Sequence, residues 1–363
     1  MRPRSSRIAV GMSGGVDSSL AAALLQKAGH EVIGVTFRMW PKEECGSSIG
    51  RTCCNLEAIT RARAVAEDLG IPYYVFDFSA EFKKKVIDYF CDEYLQGRTP
   101  NPCVICNEKI KFGLLYEKAL ALGADKIATG HYARLEYGRR IGRFILRRGK
   151  GKDHDQTYFL FSLSQEQLGH ATFPLAGYTK ERTRKAAKKL RLMTFNTSSS
   201  QDICFVQDRD YAEYIRKKTG IEIEEGDIVD KSGKYMGRHK GIPYYTIGQR
   251  RGLGIAYKEP LYVIGIDMKS NRVIVGTKKD VLKKSLIAHK LNWVAVESIN
   301  KAIRVKVKIR YNHEAQYAQV TPLDRGHVRV DFDAPQEAPT PGQAAVFYNK
   351  DIVVGGGWIK EVI

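Results

Sequence analysis

Residues 8–25 constrain this chain more than any other stretch. Ile8-Ala9-Val10 is an apolar run. Gly11-Met12-Ser13-Gly14-Gly15-Val16-Asp17-Ser18-Ser19 is a glycine-rich turn, and Leu20-Ala21-Ala22-Ala23-Leu24-Leu25 reads as a helix. Strand, tight turn and helix in that order are the start of a β-α crossover unit. The turn aims free backbone N–H groups and the positive end of a helix dipole at one point, which suits an anion. Its glycines let the backbone approach that anion closely. Ser13, Ser18 and Ser19 add hydroxyl donors. The segment lacks a Gly-Lys-Ser/Thr ending, so it is not a Walker loop.

The same alternation continues for about two hundred residues. Glu31 to Phe37 reads as a strand and Glu57 to Leu69 as an amphipathic helix stopped by Gly70. Ile71 to Phe78 is the next strand, Glu81 to Leu95 and Lys109 to Leu122 are helical, and Asp125 to Thr129 is a further strand. Alternating β and α imply an α/β domain with a parallel sheet and helices on both faces. Ligands of such sheets sit at the carboxyl ends of the strands, where the glycine loop falls. From about Gln207 short elements and glycines dominate, and from about Val281 the chain reads all-β. Ile303-Arg304-Val305-Lys306-Val307-Lys308-Ile309-Arg310 alternates apolar and basic, which buries one face and leaves four cations on the other. A small β-barrel is the natural closure. The expected organisation is a nucleotide-binding α/β domain over 1–206, a small central domain over 207–280 and a C-terminal β-barrel over 281–363.

With 59 Lys+Arg against 40 Asp+Glu, the net charge of +19 favours a polyanionic partner. There is no long apolar span, lipidation motif or signal peptide, so the expectation is a cytoplasmic protein without a membrane partner. Seven cysteines are an odd number in a long chain, which argues against a disulfide framework and for reactive or metal-binding thiols.

Arg98-Thr99-Pro100-Asn101-Pro102-Cys103-Val104-Ile105-Cys106-Asn107 is the second strong signal. Two prolines make the approach stiff and extended. A helix is expected to begin just after Cys106, where the dipole and free amides would stabilise a thiolate. Cys204 ends a polar loop beginning at Thr194. Spacing leaves three readings open: a redox pair of Cys103 and Cys106, a metal or iron–sulfur site with Cys204 as third ligand, or two catalytic thiols, Cys106 and Cys204, that pass sulfur. Cys45, Cys53 and Cys54 have no histidine at ligand spacing and read as structural or incidental. Cys91, in a helical run, reads as a buried small hydrophobe. Thr129-Gly130-His131-Tyr132 ends a strand; Gly130 allows close approach of a nucleotide, and His131 reads equally as a functional group or a loop anchor.

At these residues the chain resembles the tRNA-specific 2-thiouridylase family. The glycine turn is similar to the pyrophosphate loop, Ser-Gly-Gly-Xaa-Asp-Ser, of enzymes that split ATP into AMP and pyrophosphate. The resemblance runs on through Gly97-Arg98-Thr99-Pro100-Asn101-Pro102, Ala128-Thr129-Gly130-His131-Tyr132, Asp155-Gln156-Thr157-Tyr158-Phe159-Leu160 and Ile203-Cys204-Phe205. It continues in Thr246-Ile247-Gly248-Gln249-Arg250-Arg251-Gly252-Leu253-Gly254, Arg310-Tyr311, Thr340-Pro341-Gly342-Gln343 and Gly355-Gly356-Gly357.

The resemblance implies an ATP-binding catalytic domain, a small central domain and a C-terminal barrel. It implies ATP-dependent replacement of the 2-oxygen of the wobble uridine of tRNA by sulfur, with Mg2+ as cofactor. ATP would adenylate that oxygen, and a cysteine persulfide would deliver sulfur, with disulfide chemistry at the thiols. By position, Gly11, Met12, Ser13, Gly14, Gly15, Val16, Asp17, Ser18, Phe37 and Gly130 would hold the nucleotide. Cys106 matches the nucleophile and Cys204 the persulfide-bearing cysteine. Asn101, Pro102 and Cys103 would face the target base, and His154, Asp155, Gln156, Arg310 and Tyr311 would contact tRNA. Arg310 also lies on the cationic face of the alternating strand, which suits phosphate.

Two positions depart from the family. Phe37 stands where many members carry methionine, and Cys103 where many carry aspartate. Cys103, Cys106 and Cys204 together resemble the ligand set of a [4Fe-4S] thiolation enzyme. The expected partners are tRNA and a sulfur donor, either a cysteine desulfurase or a sulfur-relay protein, and the expected state is a monomer or weak dimer. Two rivals remain. A pyrophosphate-loop ligase or amidotransferase acting on a small molecule would need neither a basic barrel nor paired thiols. A non-catalytic tRNA-binding protein would not need the intact loop.

Overall fold

The structure is a computed structural model that describes residues 5–39, 56–151, 154–197, 203–206 and 210–363. Cys45, Cys53 and Cys54 lie outside the described residues. The chain divides into two compact units. One comprises residues 1–86, 103–207 and 351–353; the other comprises 87–102, 208–350 and 354–363.

In the first unit, β1 (Arg7–Gly11) leads through the glycine loop into the helix α1 (Val16–Lys27). β2 (Glu31–Arg38), the helix α2 (Leu56–Leu69), β3 (Tyr73–Asp77) and β4 (Lys126–Ala128) follow. A hairpin of β5 (Ala133–Gly138) and β6 (Arg143–Arg148) precedes the short β7 (Ala171–Thr172). The sheet order is β3-β2-β1-β4-β7, and each neighbouring pair is parallel. β1 is central and buried, as its continuous apolar run requires. α1 is almost wholly enclosed: Val16, Leu20, Ala21, Ala22, Ala23 and Leu25 join Ile8, Val10 and Val32 of the sheet and Ala62, Val65 and Ala66 of α2 in one core. Half of these α1 residues are alanine, which lets helix and sheet approach closely.

In the second unit, β8 (Gly226–Asp230), β9 (Tyr235–His239), β10 (Tyr262–Asp267) and β11 (Arg272–Gly276) form a sheet of order β10-β11-β8-β9. Its core is built on Ile228, Val263, Val273 and Val275. β12 (Leu282–Trp293), β13 (Ile303–Lys308), β14 (Gln316–Leu323), β15 (His327–Glu337), β16 (Ala344–Asn349) and β17 (Ile352–Val362) run in the order β12-β15-β14-β13-β16-β17, and pairing of β12 with β17 closes the barrel. Closure removes the exposed strand edges. Along β13 the expected alternation holds: Val305 and Val307 are buried, and Arg304, Lys306 and Lys308 point away from the core. The strand ends at Lys308, so Arg310 lies just beyond it, where the chain turns and the His313 amide donates to the Arg310 carbonyl at 3.1 Å.

The helix near the cysteines begins earlier than its sequence suggests. It starts at Pro102, as Pro102–Ile105, continues π-helically over Cys106–Leu114 and becomes α-helical again over Leu115–Ala121. Of the two prolines only Pro100 belongs to the extended approach. Pro102 is the first helical residue, where its missing N–H costs nothing and its fixed φ suits the helix. Cys103 therefore sits in the first turn and Cys106 one turn further in. Cys91 is buried within the helix Asp88–Leu95, as expected.

Candidate active site

The glycine loop ends at the carboxyl edge of the parallel sheet, immediately after β1. Its shape follows from local bonds. Gly14 has φ +68°, and a Cβ there would lie 2.3 Å from the Ala58 carbonyl oxygen of α2, so only glycine fits. The Ser18 hydroxyl lies across the loop. It accepts from the Ser13 amide at 3.1 Å and donates to the Gly15 carbonyl at 3.1 Å. Ser19 donates to the same carbonyl at 2.9 Å. Met12 is buried, its amide donating to Val35 at 2.7 Å and its carbonyl accepting from Thr36. Gly15 is the N-cap of α1, so the first amides of that helix, from Val16 on, have no partner inside it.

Asp17, in the first turn of α1, is held by residues distant in sequence. The Tyr132 hydroxyl donates to its Oδ1 at 2.7 Å and lies 2.9 Å from Thr183 Oγ1. Lys180 Nζ donates to Oδ1 at 2.8 Å and to Oδ2 at 2.6 Å. Burial, with the Asp17 carboxylate beside it, pushes the Tyr132 phenol far above its ordinary value, so it stays protonated and donates. Gly130 meets this loop from β4. A Cβ at Gly130 would lie 2.7 Å from the Asp17 carbonyl carbon and 2.8 Å from the Ser18 nitrogen. The bare glycine expected to admit a nucleotide also admits the backbone of α1.

His131 Nδ1 lies 2.8 Å from Thr129 Oγ1, and its ring packs near Phe112 and Phe173, 6.0 and 6.2 Å between centroids. Burial first, and then Lys111, lower its pKa well below the usual value, so the imidazole is neutral at pH 7. Phe37 is buried and packs on Phe78 at 5.3 Å.

Cys106 is buried, and Cys103 and Cys204 are partly exposed. The π-helical turn after Cys106 is fastened by side chains. Asn107 Nδ2 donates to the Phe159 carbonyl at 3.1 Å, and Gln167 Nε2 donates to the Glu108 and Phe112 carbonyls at 2.8 and 3.2 Å. π-helical segments displace carbonyls from their usual partners, and Gln167 supplies a replacement donor. Cys204 is placed through its neighbour Phe205, which is buried edge-on against Phe82 at 5.8 Å. None of the described cysteines forms a disulfide. Among the described residues, no three Cys, His, Asp or Glu side chains are gathered as a metal site.

Asp155 is buried, 3.5 Å from Arg148 Nε, and it accepts from the Thr157 amide and hydroxyl. Gln156 accepts from the Tyr132 amide at 3.0 Å and donates its own amide to the Tyr132 carbonyl at 3.3 Å. The exposed His154 lies 6.2 Å from the Tyr132 ring. The segment is thereby tied to the residue that holds Asp17.

In the second unit, Asn101 is buried, and the approach to it is clamped by the C-terminal barrel. The Thr99 amide donates to Pro341 at 3.0 Å, and Gln343 Nε2 donates to the Thr99 and Pro100 carbonyls at 3.1 and 3.0 Å. Gly342 has φ +91°, and a Cβ there would lie 2.8 Å from the Thr99 oxygen. Arg310 Nη2 donates to the Glu337 carbonyl at 2.6 Å, and Lys308 lies over the Tyr311 ring at 5.2 Å. On the same face Arg304 and Lys306 flank the exposed Tyr317 ring at 5.4 and 4.8 Å.

Sequence reasoning gave no role to Lys180, Tyr132, Gly342 or Gln343. One local signal was available for Lys180: it is a cation at the first residue of the helix Lys180–Lys189, where the dipole disfavours it.

Comparison with known proteins agrees with this architecture. Residues 6–208 match the tRNA methyl transferase HUP domain, residues 213–277 the tRNA methyl transferase PRC-barrel domain and residues 283–359 the aminomethyltransferase β-barrel domain. The tRNA-specific 2-thiouridylase MnmA of Acetivibrio thermocellus is 49% identical over 98% of this chain and 99% of its own length. MnmA 2 of Caldanaerobacter subterraneus is 49% identical over 99% of each chain, and MnmA of Clostridioides difficile is 46% identical over 98% of each. Identity of nearly half, sustained along the whole length of these relatives, assigns the chain: it belongs to the tRNA-specific 2-thiouridylase family.

Proposed function

We propose that this protein is an ATP-dependent tRNA-uridine 2-sulfurtransferase acting on the wobble uridine. The observation that carries the reading is the full-length kinship with 2-thiouridylases. The geometry supports it: an anion-receiving loop and the thiols of Cys106 and Cys204 belong to one α/β unit. ATP would place its phosphates at the Gly11–Ser18 loop, with Phe37 and Gly130 as nucleotide neighbours. Asp17 is the loop carboxylate suited to hold Mg2+, which would shield the phosphate charge.

The uridine 2-oxygen attacks the α-phosphorus of ATP and expels pyrophosphate, whose charge the loop amides receive. The 2-oxygen then leaves with AMP when the terminal sulfur of a Cys204 persulfide attacks C2. The Cys106 thiolate attacks the Cys204 sulfur and breaks the S–S bond. The former terminal sulfur stays on the base as 2-thiouridine, and Cys106 and Cys204 are left as a disulfide. An external dithiol returns the two electrons, and a persulfide-donating enzyme or relay protein recharges Cys204. Asn101, Pro102 and Cys103 border the target base. His154, Asp155, Gln156, Arg310 and Tyr311 serve the tRNA, with Asp155 and Gln156 acting through the fold rather than from the surface. The protein acts in the cytoplasm as a monomer or weak dimer.

Substrate tRNA, ATP, Mg2+ and a persulfide donor are the components of the test. Asp17→Ala and Cys204→Ser should abolish 2-thiouridine while leaving tRNA affinity near normal. Thiolation that survives Asp17→Ala, or that proceeds without ATP, refutes the assignment. Iron and acid-labile sulfide are assayed on protein purified without oxygen. Near-stoichiometric iron, lost in Cys103→Ala, would replace the persulfide route by a cluster.

A further inference from the structure

We infer that Lys180 is a phosphate-binding residue that neutralises Asp17 only until nucleotide arrives. Its ammonium passes to the polyphosphate when a divalent cation takes the carboxylate. The inference rests on the ATP reading above and assigns a role to a residue outside every motif quoted from the sequence.

Three observations carry it. First, Lys180 makes a forked contact with both Asp17 oxygens, and both side chains are largely enclosed, at 14% and 29% exposure. A lone carboxylate at the mouth of an anion site would repel the anion, so a cation must stand there in the ligand-free protein. Second, Asp17 has a partner of its own. The Tyr132 hydroxyl donates to its Oδ1 independently of the lysine, so the carboxylate keeps a fixed bond when the lysine leaves. Lys180 is a flexible stem whose Nζ lies 5.9 Å from the Tyr132 ring, a face over which a cation can rest. Third, Lys180 occupies the first position of the helix Lys180–Lys189. A cation is unfavourable at that end. The capping need is already met by Thr179, which accepts from the Arg182 amide at 3.2 Å. Glu181, the residue that suits this end, pairs outward with Lys185. Local helix stability does not account for Lys180, whereas the loop does.

In the ligand-free protein the charges are Lys180 with Asp17. With nucleotide they become divalent cation with Asp17 and Lys180 with phosphate. Neither state leaves a partly buried charge unpaired. A structural lysine would behave differently, serving Asp17 in both states.

The test uses the full-length protein without tRNA, with Mn2+ alone and ATP alone as probes followed by calorimetry, and Mn2+ also by electron paramagnetic resonance. Lys180→Met should bind nucleotide-free Mn2+ about tenfold or more tightly, because Asp17 is no longer occupied. It should bind ATP about tenfold to a hundredfold more weakly, the worth of a charge-assisted hydrogen bond. Lys180→Arg should restore much of the ATP affinity. The decisive variant is Asp17→Asn with Lys180→Met, which contains no unpaired charge. Weak ATP binding in this double variant supports the phosphate role. ATP affinity restored to that of Asp17→Asn alone would make Lys180 a mere counter-ion and overturn the inference, as would unchanged Mn2+ and ATP affinities in Lys180→Met. Wild-type protein that binds no ATP would instead refute the function proposed above.

Discussion

Gly130→Ala separates two reasons for having glycine at the end of β4. The added methyl would stand 2.7 Å from the Asp17 carbonyl carbon, 2.8 Å from the Ser18 nitrogen and 2.9 Å from Asp17 Cβ. Two of these atoms are backbone in the first turn of α1, whose Val16, Ser18 and Ser19 are buried, so neither partner moves freely. Overpacking of this kind costs about 1–3 kcal/mol. Each kcal/mol lowers Tm by about 2–4 °C in a domain of about 150–250 residues. Thermal unfolding of the nucleotide-free protein should therefore show a drop of several degrees, accompanied by weaker ATP binding as Asp17 is displaced. A variant with wild-type Tm but weak ATP binding would refute the packing argument and leave nucleotide contact as the sole reason for the glycine.

Other perturbations read other parts of the structure. Gly342→Ala combines a left-handed φ with a Cβ 2.8 Å from the Thr99 oxygen, so it should loosen the approach to Asn101. Faster hydrogen exchange at the Thr99 amide is the readout, and unchanged exchange would count against the clamp. Arg310→Ala and Lys308→Ala should each weaken tRNA binding and lower the salt slope by about one, measured by titration at several ionic strengths. A flat salt response in the wild type would remove the barrel face as an RNA surface. Burial raises the Asp77 pKa, but the Arg38 ion pair and the Ser79 bonds outweigh it and hold the group at about 2. Its stabilisation is then present above the unfolded value of 3.8 and is lost as pH falls toward about 2. Because the Asp77 side chain is 46% exposed, Asp77→Asn should cost only about 0.5–1 kcal/mol at pH 7 and nothing near pH 2, by urea unfolding.

The parts legible in the sequence were those written in local chemistry. The glycine loop, the apolar β1 and the alternating β13 each announce themselves within about ten residues, because turn geometry and side-chain period are local properties. The helix at Cys106 was misplaced by one turn because Pro102 was read as part of a stiff approach rather than as a helix start. The fastening of Asp17 was illegible for a different reason. Lys180 and Tyr132 are 163 and 115 residues away from it, and nothing in their immediate neighbours encodes the meeting. Asp155 and Gln156 show the converse: motif resemblance marks them for tRNA, while their side chains spend their hydrogen bonds inside the protein. Resemblance identifies positions that matter without saying whether they matter by contact or by support.

The clamp on Thr99 and Pro100 has a consequence for synthesis. Its donor, Gln343, follows them by 244 and 243 residues. At about 5–20 residues per second, a ribosome takes roughly 10–50 s to cover that distance. In the later part of that interval, once β7 has been made, the glycine loop and its sheet can be complete, yet the chain leading to Asn101 has no Gln343 to hold it. Fastening of the approach to Asn101 is thus timed by the last part of the chain to be made, and a message truncated before residue 341 would yield a chain with its glycine loop in place and that approach unfastened.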